Sequence, residues 1–284
     1  MTAAAAPQPA PLCLPSRFWA DLSTRDFAAL QHHGQADQVL AVLPVAAVEQ
    51  HGPHLPLSVD ATLLQGVIAA ALPHLPAALP VLFLPPQNVG LSTEHQSFAG
   101  TLTLSPATVI ALWTELGACV AQAGIKKLLI FNSHGGNVAV MDIVARELRQ
   151  RHGLLVYSAS WFSLPLPDAV SGQFSPAEHR FGIHAGEIET SMMLHLAPGT
   201  VRLEHAQDFR STAQDRAQRY AILGNGKSAK MGWAMEDYHP SGAVGQADAA
   251  TAEKGRAVVE AAGAALARLL GELAALPRDT VVRR

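Results

Sequence analysis

Cysteine is nearly absent. The chain of 284 residues holds only Cys13 and Cys119, and two thiols so far apart make neither a disulfide framework nor a thiolate pair for a metal. Their scarcity fits a reducing compartment, so a cytoplasmic location is expected. Cys119, inside an apolar helical stretch, reads as core packing. No apolar run reaches the length of a membrane span. The opening Met1 to Pro11 lacks a basic n-region and a long apolar h-region, so residues 1–15 read as a flexible tail rather than a signal peptide. Dense basic runs are also missing. With a formal net charge of -3, the chain carries no electrostatic footprint for nucleic acid or an anionic membrane surface, and a small-molecule substrate is expected. Neither GxGxxG nor GxxxxGK[ST] occurs, which removes the usual nucleotide fingerprints.

Aromatics make up 6% and hydrophobic residues 49%, the latter mostly Ala, Leu and Val, a mix suited to a soluble α/β protein. No repeat or linker divides residues 16–280, which read as one domain. Ser23 caps a short helix, and an apolar strand follows at about Gln38 to Val48. A helix over Ala61–Leu72 and a strand over Val81–Leu84 complete a β-α-β pattern. Ser105-Pro106 starts a helix that runs from Ala107 to Ala123 with Trp113 in its core face. The third strand, Lys126 to Phe131, leads through a glycine turn to a helix over Val138–Arg151, which Asn137 can cap. Leu154 to Tyr157 is a fourth strand. Gly186 opens a helix to Leu196, and Asp248 to Leu276 reads as one long amphipathic helix. Between them, Thr200 to Ala243 reads as a loop-rich cover or an oligomer contact.

Three stretches carry chemistry. The first strand ends in Glu49-Gln50-His51-Gly52-Pro53-His54, with Asp60 beyond a Gly/Pro-broken turn. On extended backbone Glu49 and His51 share a side, and the loop can fold Asp60 back toward them, which makes a metal ligand set. Asp60 alone could instead cap the helix that follows. The third strand ends in Asn132-Ser133-His134-Gly135-Gly136-Asn137, where open α/β sheets place their sites, and the two glycines let backbone approach a ligand. That turn could alternatively cradle a phosphate. In His184-Ala185-Gly186-Glu187-Ile188-Glu189 a histidine and two glutamates crowd a helix start. The helix dipole favours both carboxylates there, so spacing does not choose between Glu187 and Glu189. The long loop from Asn88 to Thr101 holds more polar groups, His95 among them, than a connector needs.

Taken in order, these three motifs resemble those of the creatininase family of amidohydrolases, with a match running from about Val39 to Gly255. The resemblance implies a three-layer α-β-α sandwich around a mainly parallel sheet. It also implies two divalent cations, zinc or manganese with iron as a further option, and a hexamer built as a trimer of dimers. By it, Glu49, Asp60 and His134 hold one cation, His51, Asp60 and Glu189 hold the other, and Asp60 bridges them. His184 corresponds to an acid/base histidine and Trp161 to a tryptophan near the substrate. The expected reaction is hydrolysis of an amide C–N bond, a cyclic amide first. A formamide or peptide substrate is the alternative within the superfamily, and a non-catalytic metal or nucleotide-binding module the alternative outside it. Where creatininase has a tyrosine and a glutamate, this chain has Gly135 and Gly136, and where creatininase has a tryptophan it has Arg180. A water or a group from the Ser92 to Gln96 loop would then replace the glutamate. Arg180, His95, Gly135 and Gly136 are expected to touch substrate, Arg180 through an anionic group.

Overall fold

Alternate residues of the first strand belong to different cores. In the computed structural model, which describes residues 12–282, β1 (Leu40–Val45), β2 (Val81–Phe83), β3 (Lys127–Asn132) and β4 (Leu155–Ser160) form a sheet in the order β2-β1-β3-β4. All neighbours are parallel, with Leu40 opposite both Val81 and Lys127, and Lys127 opposite Leu155. Around and after the strands run α1 (Thr24–His32), α2 (Val59–Ala71), α3 (Pro106–Gln122), α4 (Val138–His152), the short α5 (Asp168–Ser171) and α6 (Pro176–Phe181), α7 (Glu187–Leu196), α8 (Ala213–Arg219) and α9 (Ala252–Ala275). Leu40, Val42, Leu129 and Phe131 pack with α2, α7 and α9. Ala41, Leu43, Val45, Leu128 and Ile130 pack with α1, α3 and α4 on the other face. A parallel sheet buried on both faces needs such unbroken apolar strands. The expected three-layer α/β sandwich is the fold.

Local signals account for most boundaries. Ser23 and Asp26 form a reciprocal capping box on α1, and Ser105 accepts from Thr108 N at the head of α3. β1 is shorter than its apolar run, because Ala46 to Val48 leave the sheet. Three expectations fail. Cys119 is exposed rather than packed in the core, since it lies on the outer side of α3 while Trp113, Gly117 and Val120 face inward. Asn137 does not cap α4. Its amide is spent tying three segments together, donating to Ala46 O and Asn132 Oδ1 and accepting from Leu91 N. Nor does Asp60 cap α2: Ser58 holds the cap position, and Asp60 lies within the first turn. Of the expected tail, residues 1–11 lie outside the described residues, while Leu12 and Leu14 pack against the core.

The long helix α9 holds the site's scaffold from behind. It passes α7 at Gly255, where a Cβ would overlap the Ser191 carbonyl, so close approach requires glycine there. Glu187 is buried at the start of α7 and pairs with Lys254 of α9. The chain between α7 and α9 holds a two-stranded antiparallel ribbon, β5 (Asp208–Phe209) with β6 (Gly245–Gln246). Among the described residues no helix is long and apolar enough to cross a membrane.

The turn between β1 and α2 is fastened by His54, fully buried with Nε2 2.9 Å from Thr190 Oγ1 and its ring stacked on Phe209. Burial lowers its pKa to about 4. The unfolded chain then takes up this proton near pH 6.5 while the native fold refuses it. Stability present above pH 6.5 is therefore lost as the pH falls, until the folded value is passed. Over that window His54 accounts for a loss of about 3 kcal/mol. Urea unfolding of wild type and His54→Gln at pH 7, 5.5 and 4 checks this. The variant should show a shallower decline, and parallel curves would remove the assignment.

Candidate metal centre

Glu49 and His51 follow β1, His134 follows β3, and Glu189 sits in the first turn of α7, all at the carboxyl edge of the sheet. Asp60, in the first turn of α2, faces the same point. Ligand atoms of Glu49, Asp60 and His134 lie within 4.8 Å of one another, and so do those of His51, His184 and Glu189. His51 Nε2 is 3.9 Å from Asp60 Oδ1 and 4.0 Å from Glu189 Oε2. His134 Nδ1 is 3.1 Å from Glu49 Oε1 and 3.4 Å from Asp60 Oδ2. Asp60 thus stands between two groups of donors. Three separated stretches of chain meet there.

Backbone fixes which nitrogen each imidazole presents. Nδ1–H of His51 donates to Glu49 O at 3.1 Å, which leaves the Nε2 lone pair facing Asp60 and Glu189. Nε2–H of His134 donates to Leu91 O at 2.8 Å, which turns Nδ1 toward Glu49 and Asp60. Glu49 Oε1, His51 Nε2 and Asp60 Oδ2 are buried without a hydrogen-bond partner. Buried polar atoms are ordinarily satisfied, and three converging orphans of this kind fit a shared cation. Oxygen and imidazole donors without thiolate suit hard or borderline divalent ions.

The electrostatics points the same way. Burial, with Glu49 and Glu189 nearby, pushes the Asp60 carboxyl well above the usual range, and burial also raises Glu189. For Glu49 burial acts upward too, yet His134, His95 and His184 together hold it far below. Burial opposes charge on His134, but Glu49, Glu94 and Asp60 push that imidazole well above its ordinary value. His51 is driven well below by burial and by His184. Protons and carboxylates compete for the same space, and a cation relieves both.

His184 is sandwiched between His51 and His95, with ring centroids 4.1 and 4.3 Å away. Its Nε2–H donates to Gln50 O at 2.7 Å, and its Nδ1 lies 3.7 Å from Glu49 Oε1. Gln50 also orients His95: its Nε2 reaches His95 Nδ1 at 2.7 Å and Gly242 O at 2.8 Å. His95 Nε2 then faces Glu49 Oε1 at 3.4 Å. Burial, with His184 beside it, lowers the His95 pKa to about 3, so it stays neutral. The neighbouring Ala185 has φ 54, a left-handed conformation that is strained for a residue with a side chain. Its N–H donates to Glu189 Oε2 at 2.6 Å, so the kink aims the ligand helix.

Four supporting groups were not among the site residues expected from the sequence. Ser92 Oγ donates to Glu49 Oε2. Glu94 lies 3.3 Å from His134 Nε2, and its Oε1 occupies the space a Cβ at Gly136 would need. The group expected from the Ser92 to Gln96 loop is therefore Glu94, with the missing side chain at Gly136 as its room. Buried Glu178 accepts from Ile188 N at 3.3 Å and Gln246 N at 2.9 Å, fixing the head of α7 against β6. Trp233, from the cover segment, packs edge-on to His95. Glu178 and Trp233 had no local signal, because Glu178 sits in a six-residue helix too short to show a hydrophobic period and Trp233 in irregular chain.

A cavity of about 440 Å³ opens over these groups, lined by His95, Gly135, Gly136, Trp161 and Trp233 among others. Trp161 is buried, with Nε1 unpartnered. Arg180 is not in this cavity. It belongs to a neighbouring one, where Nη2 donates to Gly224 O at 2.8 Å and the guanidinium lies over Phe181. The end of α6 turns it away from the ligand cluster.

The family model for creatininase, described as creatinine amidohydrolase, matches residues 20–270. The mycofactocin precursor peptide peptidase of Mycobacterium tuberculosis is 32% identical over 78% of this chain and 80% of its own length. Its Mycolicibacterium smegmatis namesake is also 32% identical, over 60% of this chain and 62% of that protein. The creatinine amidohydrolase of Pseudomonas putida is 31% identical over 68% of this chain and 76% of its own. A mutant creatininase structure superposes with TM-score 0.70 at 26% identity, covering 90% of this chain and 98% of that one.

Proposed function

The chain belongs to the creatininase family of hydrolases, and from that premise we propose that it cleaves an amide C–N bond using two divalent cations, with a short peptide or peptide-like amide as substrate. The observation that carries the reading is the convergence of unpartnered Glu49 Oε1, His51 Nε2 and Asp60 Oδ2 between His134 and Glu189. Glu49, Asp60 and His134 would hold one ion, and His51, Asp60 and Glu189 the other. Bound there, such ions supply Lewis acidity toward a carbonyl oxygen and make water a nucleophile at neutral pH. Zinc and manganese are the ions named for solved creatininases of this fold, and iron suits the same donors.

The chain's own residues do the rest. With Nε2–H pinned on Gln50 O, His184 can take a proton on Nδ1 and deliver it to the departing nitrogen, which is a poor leaving group without it. Ser92 and Glu94 steady Glu49 and His134. The relatives named as peptide peptidases favour an open-chain amide. A cyclic amide is the second reading, favoured by the relative named creatinine amidohydrolase. The proposal extends to a homohexamer, a trimer of dimers, which light scattering checks.

Metal analysis of the purified protein, followed by a screen of short peptides, cyclic amides and formamides before and after chelation, tests the reading. It requires about two ions per chain, consistent with a two-metal site, and turnover that chelation removes and zinc or manganese restores. Hydrolysis indifferent to chelation would end it.

A further inference from the structure

Next to the acid-lined cavity lies a second, of about 520 Å³, and the two share Ile183 and Trp233 as a common wall. Their charges are opposite. The first is lined by five carboxylates, while the second has Arg180, Arg216 and Lys230 and no acidic residue. Elsewhere Arg146, Arg151, Arg210 and Arg256 each pair with a carboxylate, while Arg17 and Arg149 donate to backbone carbonyls at separate places on the fold. Among the described residues, Arg180, Arg216 and Lys230 make no such pair. Unpaired cations gathered in one concavity repel one another, and an anion is the partner that offsets this.

Both guanidinium groups are held in place rather than left mobile. Arg216 lies 4.9 Å from the Tyr238 ring centroid and donates through Nη1 to Thr212 Oγ1 at 3.0 Å, while its Nη2 is shielded from water with no partner. Arg180 lies 4.9 Å from the Phe181 ring centroid and is tied to Gly224 O. Fixed planar forks with spare donors match a carboxylate or a phosphate. Lys230, on the segment between α8 and β6, completes the rim.

We propose that this basic chamber binds an oxyanion, carboxylate or phosphate, carried by the substrate beyond the bond that is cut. The inference rests on the amidohydrolase reading for its role, and on the charge distribution for its existence. Ile183 and Trp233 then separate the part of the substrate that reacts from the part that is recognised.

Titration calorimetry on the full-length, zinc-loaded protein with inorganic phosphate and, separately, with glutarate tests it without turnover. At least one anion should bind, and Arg180→Ala/Lys230→Ala should weaken binding by about tenfold or more, with a marked salt dependence. Lys230→Ala alone, which breaks no hydrogen bond, should weaken it in the same direction. Preference for phosphate or for glutarate tells the two sources apart. Failure of both anions to bind, or binding unchanged in the double variant, overturns the proposal. Where a peptide substrate is in hand, the free acid should exceed its carboxamide in kcat/KM, and the double variant should bring that ratio toward one through KM. A hydrolase reading that fails leaves the titration standing. A titration that fails leaves hydrolysis standing.

Discussion

Asp60→Asn is expected to abolish turnover and at the same time make the metal-free protein more stable. Asp60 stands between both donor groups, 3.9 Å from His51 Nε2 and 3.4 Å from His134 Nδ1. Losing its charge takes a shared ligand from both proposed ions. Several kcal/mol of transition-state stabilisation from the metal pair corresponds to a drop of about ten-thousandfold or more in kcat/KM. The stability effect has the opposite sign. Burial and the neighbouring Glu49 raise the Asp60 pKa well above its usual value. The native state therefore holds a proton that the unfolded chain has released, and Asp60 lowers stability progressively as pH rises from the ordinary carboxylate range through the raised value. Asparagine removes that slope, and no hydrogen bond to Oδ2 is lost, because none exists. Calorimetric melts of the chelated proteins at pH 4, 6 and 8 and zinc titration of both check the pair of effects. Zinc uptake by wild type should release protons, since His134 is also held above its ordinary value. A variant that loses stability while keeping its metal would show Asp60 to be a structural residue.

The contrast between legible and illegible parts has a physical source. β1, β3 and their flanking helices could be read because a parallel sheet covered on both faces needs apolar strands with helices between them, and that requirement is local in the chain. Glu49, His51 and His134 could be read because strand ends place side chains in a known direction. The choice between Glu187 and Glu189 could not be made from spacing, since the dipole favours both. It is made in three dimensions by Lys254, a residue of α9 that pairs with Glu187, while Glu189 faces His51. Glu94 was half legible: the vacancy at Gly136 implied either a water or a group from the Ser92 to Gln96 loop, and only packing shows that the Glu94 side chain fills it. The cavity that Arg180 lines, the one adjoining the ligand cluster, was not legible in the sequence. The position of Arg180 in the last turn of α6 decides which of two adjoining cavities the long side chain lines, and no pattern in the chain encodes that.

His184→Gln separates a proton-carrying role from a ligand role for the histidine at the middle of the imidazole stack. His184 Nδ1 lies 3.7 Å from Glu49 Oε1, and the residue can join either of two groups of donors, one with His51 and Glu189 and one with Glu49 and His95. Geometry within the ring favours proton transfer. Nε2–H is committed to Gln50 O, so Nδ1 is the atom free to gain and lose a proton beside the cavity. Glutamine keeps a donor near Gln50 but cannot carry a proton at neutral pH. The expected result is metal content equal to wild type with kcat lowered by about a hundred- to ten-thousandfold, the usual worth of a positioned acid or base. Substrates with a better leaving group should recover much of that loss, because they do not need the proton that His184 supplies. Loss of an ion from the variant would make His184 a ligand, and an undiminished kcat would exclude it from the reaction. Gln50→Leu gives the complementary measurement: it leaves the Gln50 carbonyl that anchors Nε2 but removes the amide that orients His95, so its smaller effect on kcat should be one that His184→Gln no longer adds to.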